Sequence, residues 1–151
     1  MLQYSIKSFS SLSVNELYSL LALRVKVFVI EQNCIYQDLD GKDLDCFHLM
    51  GCDEAQNLLA TARILPPGVS YPEVAIGRVT IDEKARGTGE GHRLMRACMD
   101  FILKTYGEVP VKLSAQKHLE NFYASHQFSS TGKEYLEDGI PHVEMKYYVN
   151  T

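Results

Sequence analysis

Three glycines within five residues separate a run rich in β-branched residues from an amphipathic helical pattern. Residues 79–92 read VTIDEKARGTGEGH, with Gly87, Gly89 and Gly91 in the turn. Glycine lets the backbone approach a ligand closely and adopt positive φ. The N–H groups of such a turn, together with the N-terminus of the following helix, form a site for an anion. The spacing therefore indicates binding of a phosphate or a pyrophosphate.

The residues around these glycines exclude two common phosphate-binding motifs. A P-loop needs Gly-Lys followed by Ser or Thr, but Gly91 is followed by His-Arg. The dinucleotide fingerprint G-x-G-x-x-G also fails, because the third glycine comes one residue too early. The pattern that fits is R-x-x-G-x-G over residues 86–91.

Several charged or titratable side chains occupy apolar or strand-like segments. Arg24 and Glu31 fall on the apolar stripe of the first helical segment. A charge on an apolar face is unfavourable unless it is paired or faces a pocket, so the two residues either form a buried ion pair or hold a substrate. His48 and His142 could act as general bases. Arg78 either faces solvent or points into a cleft.

An acidic stretch follows the first helical segment. Residues 31–45 contain one lysine and five acids, which are Glu31, Asp38, Asp40, Asp43 and Asp45. Around an acceptor site, these acids would favour a cationic amine by electrostatic steering. The alternative is a solvated loop, and a position far from the cleft would exclude the steering role.

Periodicity predicts the elements that position these residues. Ser13 and Glu16 fit a capping box that opens a first helix. A hairpin over residues 46–50 and 58–65 and a third strand over 74–81 precede the glycine turn. The second helix ends at Gly107, and its buried face carries Leu94, Ala97, Cys98, Phe101 and Ile102.

The rest of the chain continues this alternation. A strand is predicted at residues 109–114, a short helix at about 119–126 and a final strand at about 143–149. The order of elements indicates an α/β fold of the α+β type, in which helices pack on a mixed sheet. The 151 residues are enough for one domain, so residues 1–151 are predicted to form one.

Composition excludes several classes of protein. The net charge of −4 and a pI near 5.7 argue against general nucleic-acid binding. No apolar run approaches the ~20 residues that a membrane span needs, and residues 1–7 lack the pattern of a signal peptide. Four cysteines without a signal peptide predict reduced thiols in a cytoplasmic protein. The sequence leaves a homodimer open.

Three other chemistries find no support. Residues 38–43 are similar to the start of a calcium loop, but the glycine is fourth instead of sixth and Leu49 is twelfth. Cys46, His48 and Cys52 lack a C-x-x-C pair and a fourth ligand for zinc, so no metal is predicted. No G-x-S-x-G nucleophile elbow occurs, which leaves serine hydrolysis unsupported.

The glycine pattern resembles the acetyl-CoA pyrophosphate loop of the GNAT superfamily of N-acetyltransferases. The elements after it follow the family's order, and residues 119–128 resemble its signature of Tyr, three residues and Gly-Phe, with Gln127 in place of the glycine. The stretch from Arg24 to Glu31 is also similar to acyl-homoserine-lactone synthases, which share the fold. The segments that look like the ElaA-like branch of the superfamily are residues 23–32, 36–40, 76–79 and 135–142.

The resemblance implies a mixed, mostly antiparallel sheet with one splayed parallel pair, flanked by helices. The pantetheine arm of acetyl-CoA would enter the splay and pair with the backbone of residues 79–81, and the pyrophosphate would lie on the N–H groups of residues 87–91. The residues implied to bind acetyl-CoA are Val79, Thr80, Ile81, Arg86, Gly87, Thr88, Gly89, Glu90, Gly91 and Gln116.

The resemblance also implies direct attack of a primary amine, from a small molecule or a peptide, on the thioester. Tyr123 matches the family's general acid, the alternative being that it only packs a helix face. The residues do not single out the base among Glu31, His48 and His142. Glu31 is grouped with Tyr123 as catalytic, and the residues grouped as binding the acceptor are Arg24, His48, Arg78 and His142.

Two rival functions stay open at this point. One is an acyltransferase that makes a signalling molecule from a longer acyl donor. The other is a CoA-binding module without efficient catalysis.

Overall fold

The structure is a computed structural model that describes residues 1–149. Its seven strands form one sheet. They are β1 (Gln3–Ser8), β2 (Phe47–Cys52), β3 (Leu58–Leu65), β4 (Val74–Ile81), β5 (Val111–Gln116), β6 (Phe128–Glu137) and β7 (Ile140–Tyr147). Their order in space is β1-β2-β3-β4-β5-β7-β6. Every neighbouring pair is antiparallel except β4 and β5, which are parallel. The expected mixed sheet with one parallel pair is thus confirmed.

The helices begin and end where local sequence signals place them. α1 (Val14–Arg24) opens with the predicted capping box, in which the Ser13 hydroxyl accepts from the Glu16 N–H and the Glu16 carboxylate accepts from the Ser13 N–H. α2 (Glu90–Tyr106) ends where the Gly107 N–H donates to the Leu103 carbonyl. α3 is a short helix (Glu120–Ala124) that follows a 3₁₀ turn. No helix within residues 1–149 is long and apolar enough to cross a membrane.

The first helical segment departs from the predicted stripe. After Arg24 the chain continues as a π-helix (Val25–Glu31). A π-helix has more residues per turn than an α-helix, so side chains seven positions apart no longer share a face. Arg24 is therefore buried while Glu31 is exposed.

The two faces of the sheet pack against different parts of the chain. Alternation along β3 directs Ala60, Ala62 and Ile64 into the core that α2 completes with Leu94 and Cys98. The side chains between them point to the opposite face, where α1 packs on β3 and β4. The candidate site lies where β4 and β5 of this sheet separate.

Two strands were missed, and the bounds of three others moved, including β2, which was predicted at 46–50 and lies at Phe47–Cys52. β6 is an edge strand with mostly exposed, polar residues, so it lacks the apolar alternation that signals a half-buried strand. β1 is another edge strand, of only six residues. The strand predicted at 109–114 lies at Val111–Gln116, and the final strand predicted at 143–149 lies at Ile140–Tyr147.

Candidate active site

A cleft opens in the sheet because β4 and β5 pair over only two positions. Val74 lies opposite Val111 and Ala75 opposite Lys112, and beyond these pairs the two strands diverge. The space has a volume of about 940 Å³. It is walled on one side by α2 and α3 and on the other by the π-helix and the loop that follows it. The cleft therefore passes from one face of the sheet to the other.

A β-bulge in β4 forms part of the cleft wall. Thr61 pairs with Thr80 and Arg63 with Gly77, so two residues of β4 face Ala62 alone. One of them, Arg78, has a φ of +50°, a conformation that is uncommon for a residue with a side chain. Bulges redirect backbone and side chains and often occur beside active sites. Here the bulge interrupts the regular strand conformation of β4 in the part that no longer pairs with β5.

The side chains of the three β4 residues that are predicted to bind the cofactor point in different directions. Val79 and Ile81 line the cleft. The Thr80 side chain is buried and does not line the cleft. Its hydroxyl donates to the Arg78 carbonyl at 2.8 Å. Pairing of their backbone groups with a pantetheine arm stays a prediction.

The glycine turn has the backbone conformation expected of it. Gly87 and Gly89 have φ values of +80° and +83°, and a Cβ at either would meet nothing within 4 Å. Glycine is therefore required there by conformation and not by crowding. Gly91 differs, because a Cβ there would lie 3.3 Å from the Phe122 ring. This contact holds α2 against α3 at the edge of the cleft, which Gly91 also lines.

An ion pair joins the turn to the π-helix. Arg86 donates to the Ile81 carbonyl at 2.9 Å and to the Glu31 carboxylate at 2.7 Å. Both charged residues line the cleft, as does Gln116, which donates to the Gln32 side chain at 3.2 Å. The Thr88 hydroxyl donates to the Ala85 carbonyl at 3.0 Å, inside the turn.

The Glu90 side chain has a structural role. Its carboxylate is buried and accepts hydrogen bonds from the Leu2 N–H (3.0 Å), the Tyr4 hydroxyl (2.7 Å) and the Arg93 guanidinium (2.8 Å). It thereby ties the start of the chain to α2. Only the backbone N–H of Glu90 is left to serve an anion at the turn.

Tyr123 of α3 is buried and lines the cleft from the α2 side. Its ring packs edge-on against Phe122 and Phe128. Burial raises the pKa of the phenol above its ordinary value. The hydroxyl therefore stays protonated at neutral pH, as a proton donor must.

Two predicted site residues do not reach the cleft. Arg24 is 1% exposed and donates to Asp38 at 2.9 Å and to Asp43 at 2.7 Å. Of the two alternatives for Arg24, the ion pair with Glu31 is not formed, and Arg24 is not among the residues that line the cleft. His48 is equally buried, with Nε2 lying 2.9 Å from the Asp43 carbonyl. Burial lowers the pKa of His48, and the residue is not among those that line the cleft.

The acidic loop is part of a buried ionic network. Arg63 donates to Asp40 at 2.6 Å and to Asp43 at 3.0 Å, and Arg78 donates to Asp38 at 2.7 Å. The loop borders the cleft, so it is not remote from it; Asp38 and Asp43 are buried, whereas Glu31, Asp40 and Asp45 are exposed. The three aspartates are balanced by Arg24, Arg63 and Arg78, which leaves them little net charge for steering an amine.

His142 and Arg78 do reach the cleft, as predicted for contacts with the acceptor. Spacing did not reveal four polar residues on the same wall. These are Tyr71, Ser114, Glu137 and Asp138. Among residues 1–149, no three His, Cys, Asp or Glu side chains are grouped so that they could hold a metal ion.

Comparison with known proteins assigns the family. Residues 21–149 match the family model described as an acetyltransferase (GNAT) domain. The chain belongs to the GNAT acetyltransferase family. This GNAT chain is 44% identical to Protein ElaA of Escherichia coli over 147 residues, which cover 96% of the chain and 95% of ElaA. It is 38% identical to a UPF0039 protein of Synechocystis over 148 residues, or 98% and 96% of the two chains.

Solved structures agree with this assignment. An acyl-CoA N-acyltransferase from Pseudomonas aeruginosa superposes with a TM-score of 0.92 at 43% identity, over 98% of this GNAT chain and all of that one. The crystal structure of Escherichia coli ElaA gives a TM-score of 0.91 at 43% identity, with the same coverage. The GNAT fold and the likeness to ElaA are thereby confirmed. Family membership makes the protein an acyltransferase that takes its acyl group from acyl-CoA.

Proposed function

We propose that this GNAT protein transfers an acetyl group from acetyl-CoA to a primary amine of a small molecule or a peptide, by direct attack in a ternary complex. One observation carries the proposal: β4 separates from β5 after two paired residues and then leads into the glycine turn. A thioester whose pyrophosphate lies on the turn could extend along β4 into the cleft, toward Tyr123.

The donor end is suited to a polyanion. The N–H groups at the start of a 17-residue helix carry a partial positive charge, and Arg86 adds a full charge beside the turn. Glu31 fixes the position of Arg86 through their 2.7 Å hydrogen bond. Glu31 as a base stays a prediction, and this contact counts against it because the carboxylate is already paired.

Tyr123 serves the leaving group. As the C–N bond forms and the C–S bond breaks, its phenol proton passes to the thiolate sulfur. We place the reaction in the cytoplasm, where the four free cysteines stay reduced.

Thermal unfolding with and without acetyl-CoA tests the donor site, with NAD and ATP as controls. A ligand at 100 times its dissociation constant stabilises a protein by about 2.7 kcal/mol, which for this size raises the Tm by roughly 5–10 °C. We expect the rise with acetyl-CoA alone. No rise at saturating acetyl-CoA would remove the support for the donor site.

Measuring the release of free CoA thiol then distinguishes the proposed acetyltransferase from the two rival functions. Faster release with octanoyl-CoA than with acetyl-CoA, across a panel of primary amines, would favour the acyltransferase that uses longer acyl donors. Binding of acetyl-CoA without release of CoA for any amine would favour a non-catalytic CoA-binding module.

A further inference from the structure

His142 of β7 is one of the polar residues that line the cleft. In the sheet it is paired with Tyr135 of β6 on one side and with Gln116 of β5 on the other. Residues two apart on a strand share a face, so Ile140 projects on the same side as His142. His142 is 8% exposed and lines the cleft, as do Gln116 and Ile140. Its imidazole is therefore withdrawn from bulk water but open to a ligand in the cleft.

The hydrogen bonds of His142 fix which nitrogen is available. Nδ1 lies 2.7 Å from the Ile140 carbonyl, and a carbonyl oxygen can only accept, so Nδ1 carries a proton. In the neutral ring, Nε2 is then the atom that can take a proton. The Tyr135 ring lies nearly parallel to the imidazole, at an interplanar angle of 16°. Tyr135 is in turn held by a hydrogen bond between its hydroxyl and that of Ser114.

A carboxylate is in place to stabilise the protonated ring. Glu137 Oε2 lies 3.2 Å from His142 Nε2. When Nε2 gains a proton, Glu137 can accept a hydrogen bond from it and offset the new charge. Glu137 is 51% exposed, so it also connects the imidazole to solvent.

The position of His142 complements that of Tyr123. Val143 and Met145, the neighbours of His142 along β7, belong to the same core as Tyr123. Because alternate residues of a strand point to opposite faces, His142 points away from that core. The two residues thus meet the cleft from opposite faces of the sheet. A base must reach the attacking nitrogen, whereas an acid must reach the departing sulfur. The nitrogen and the sulfur are different atoms that bond to the same carbonyl carbon.

The other two candidate bases are less suited. Glu31 is paired with Arg86, and His48 does not line the cleft. We propose that His142 is the general base of the acyl transfer and that Glu137 is its positioning residue. This inference rests on the proposed function.

The proton balance of the step is as follows. The ammonium of the acceptor gives one proton to Nε2 of His142, and this proton leaves to solvent past Glu137. The neutral amine attacks the thioester, the C–N bond forms and the C–S bond breaks. Tyr123 gives its proton to the sulfur, and the phenolate recovers a proton as the nitrogen loses its second one. One proton is released for each amide formed.

Kinetics with defined amines test the assignment. The probes are acetyl-CoA as donor and spermidine or lysine methyl ester as acceptor, with release of CoA thiol followed from pH 5 to 9. We expect His142→Gln to lower kcat by about 10²- to 10⁴-fold. Its rise in Tm with acetyl-CoA should match that of the unaltered protein, which shows that the donor site is intact.

Glu137→Gln separates a positioning role from a structural one. Without the carboxylate the protonated ring loses the hydrogen-bond acceptor beside Nε2, so the acid limb of the kcat/KM profile should move to lower pH. Glu134→Gln is the matched control, because Glu134 is exposed on the same strand and pairs with Lys117.

The outcomes distinguish a wrong base assignment from the absence of the proposed acyl transfer. If His142→Gln retains its rate within twofold, or if Glu137→Gln leaves the acid limb of the kcat/KM profile unshifted, the assignment is overturned while the acyl transfer stands. If the unaltered protein acetylates neither amine, this base assignment is overturned together with the transfer to simple primary amines.

Discussion

At the scale of single residues, Tyr123 combines burial with an opening to the cleft. Tyr123→Phe removes only the hydroxyl and keeps the ring packed against Phe122 and Phe128. We expect kcat to fall by about 10²- to 10⁴-fold, because the thiolate loses its proton donor. The rise in Tm with acetyl-CoA should be unchanged, since the phenol proton is not needed for binding the donor.

Release of CoA thiol and thermal unfolding measure the two effects. Tyr106→Phe is a matched control, because Tyr106 is also partly buried but lies at the far end of α2, outside the residues that line the cleft. Equal turnover by the Tyr123 and Tyr106 variants would show that Tyr123 only packs the helix face.

Sequence spacing located residues whose role depends on local geometry. Gly87 and Gly89 have the positive φ that their turn required. The surroundings of Arg24 were not predicted, because its partners come from elsewhere along the chain. Arg24 binds a carboxylate 14 residues away and another 19 residues away. No periodicity in the sequence specifies pairings of this kind.

At the scale of elements, the loop after the π-helix is held by charge. Burial would raise the pKa of Asp43, but the hydrogen bond and charge of Arg24, together with Arg63, outweigh it and hold the pKa below its ordinary value. Asp38 is shared in the same way by Arg24 and Arg78. The network therefore ties α1, the loop and the bulge of β4 together beside the cleft.

Asp43→Asn tests this network. Loss of one partner of a buried ion pair leaves the other charge uncompensated, which costs about 3–5 kcal/mol. We expect the variant to lose at least about 2 kcal/mol of unfolding free energy in urea, since Asn keeps part of the hydrogen bonding. Asp45→Asn, two residues along and exposed, should change it by less than about 0.5 kcal/mol. Equal effects of the two variants would show that the ion pairs add nothing.

Element prediction succeeded where one face of a strand or helix is buried. β3 and β4 lie within the predicted bounds, and α2 begins and ends where its signals place it. β6 was missed because an exposed edge strand has no apolar face to show. The π-helix was missed because a change in residues per turn leaves no mark in residue types alone.

At the scale of the whole molecule, buried titratable groups link stability to pH. Burial lowers the pKa of His48, and burial with the charges of His92 and Arg96 lowers that of His126. Among the carboxylates, the hydrogen bond from Arg63 lowers the pKa of Asp40, and that of Asp43 is also lowered. In every case the unfolded chain binds protons more readily than the folded one, so folding is favoured by higher pH.

The pH dependence of urea unfolding should therefore show two declines. The free energy of unfolding should be nearly constant between about pH 7 and 8 and fall below about 6.5, the ordinary pKa of histidine, because His48 and His126 gain protons in the unfolded chain first. It should fall again below about pH 4, where the unfolded aspartates take up protons. His48→Asn should flatten the first decline in part, since His126 still contributes, whereas the exposed His118→Asn should leave it unchanged. A first decline as steep in His48→Asn as in the unaltered protein would show that burial of this imidazole is not linked to folding.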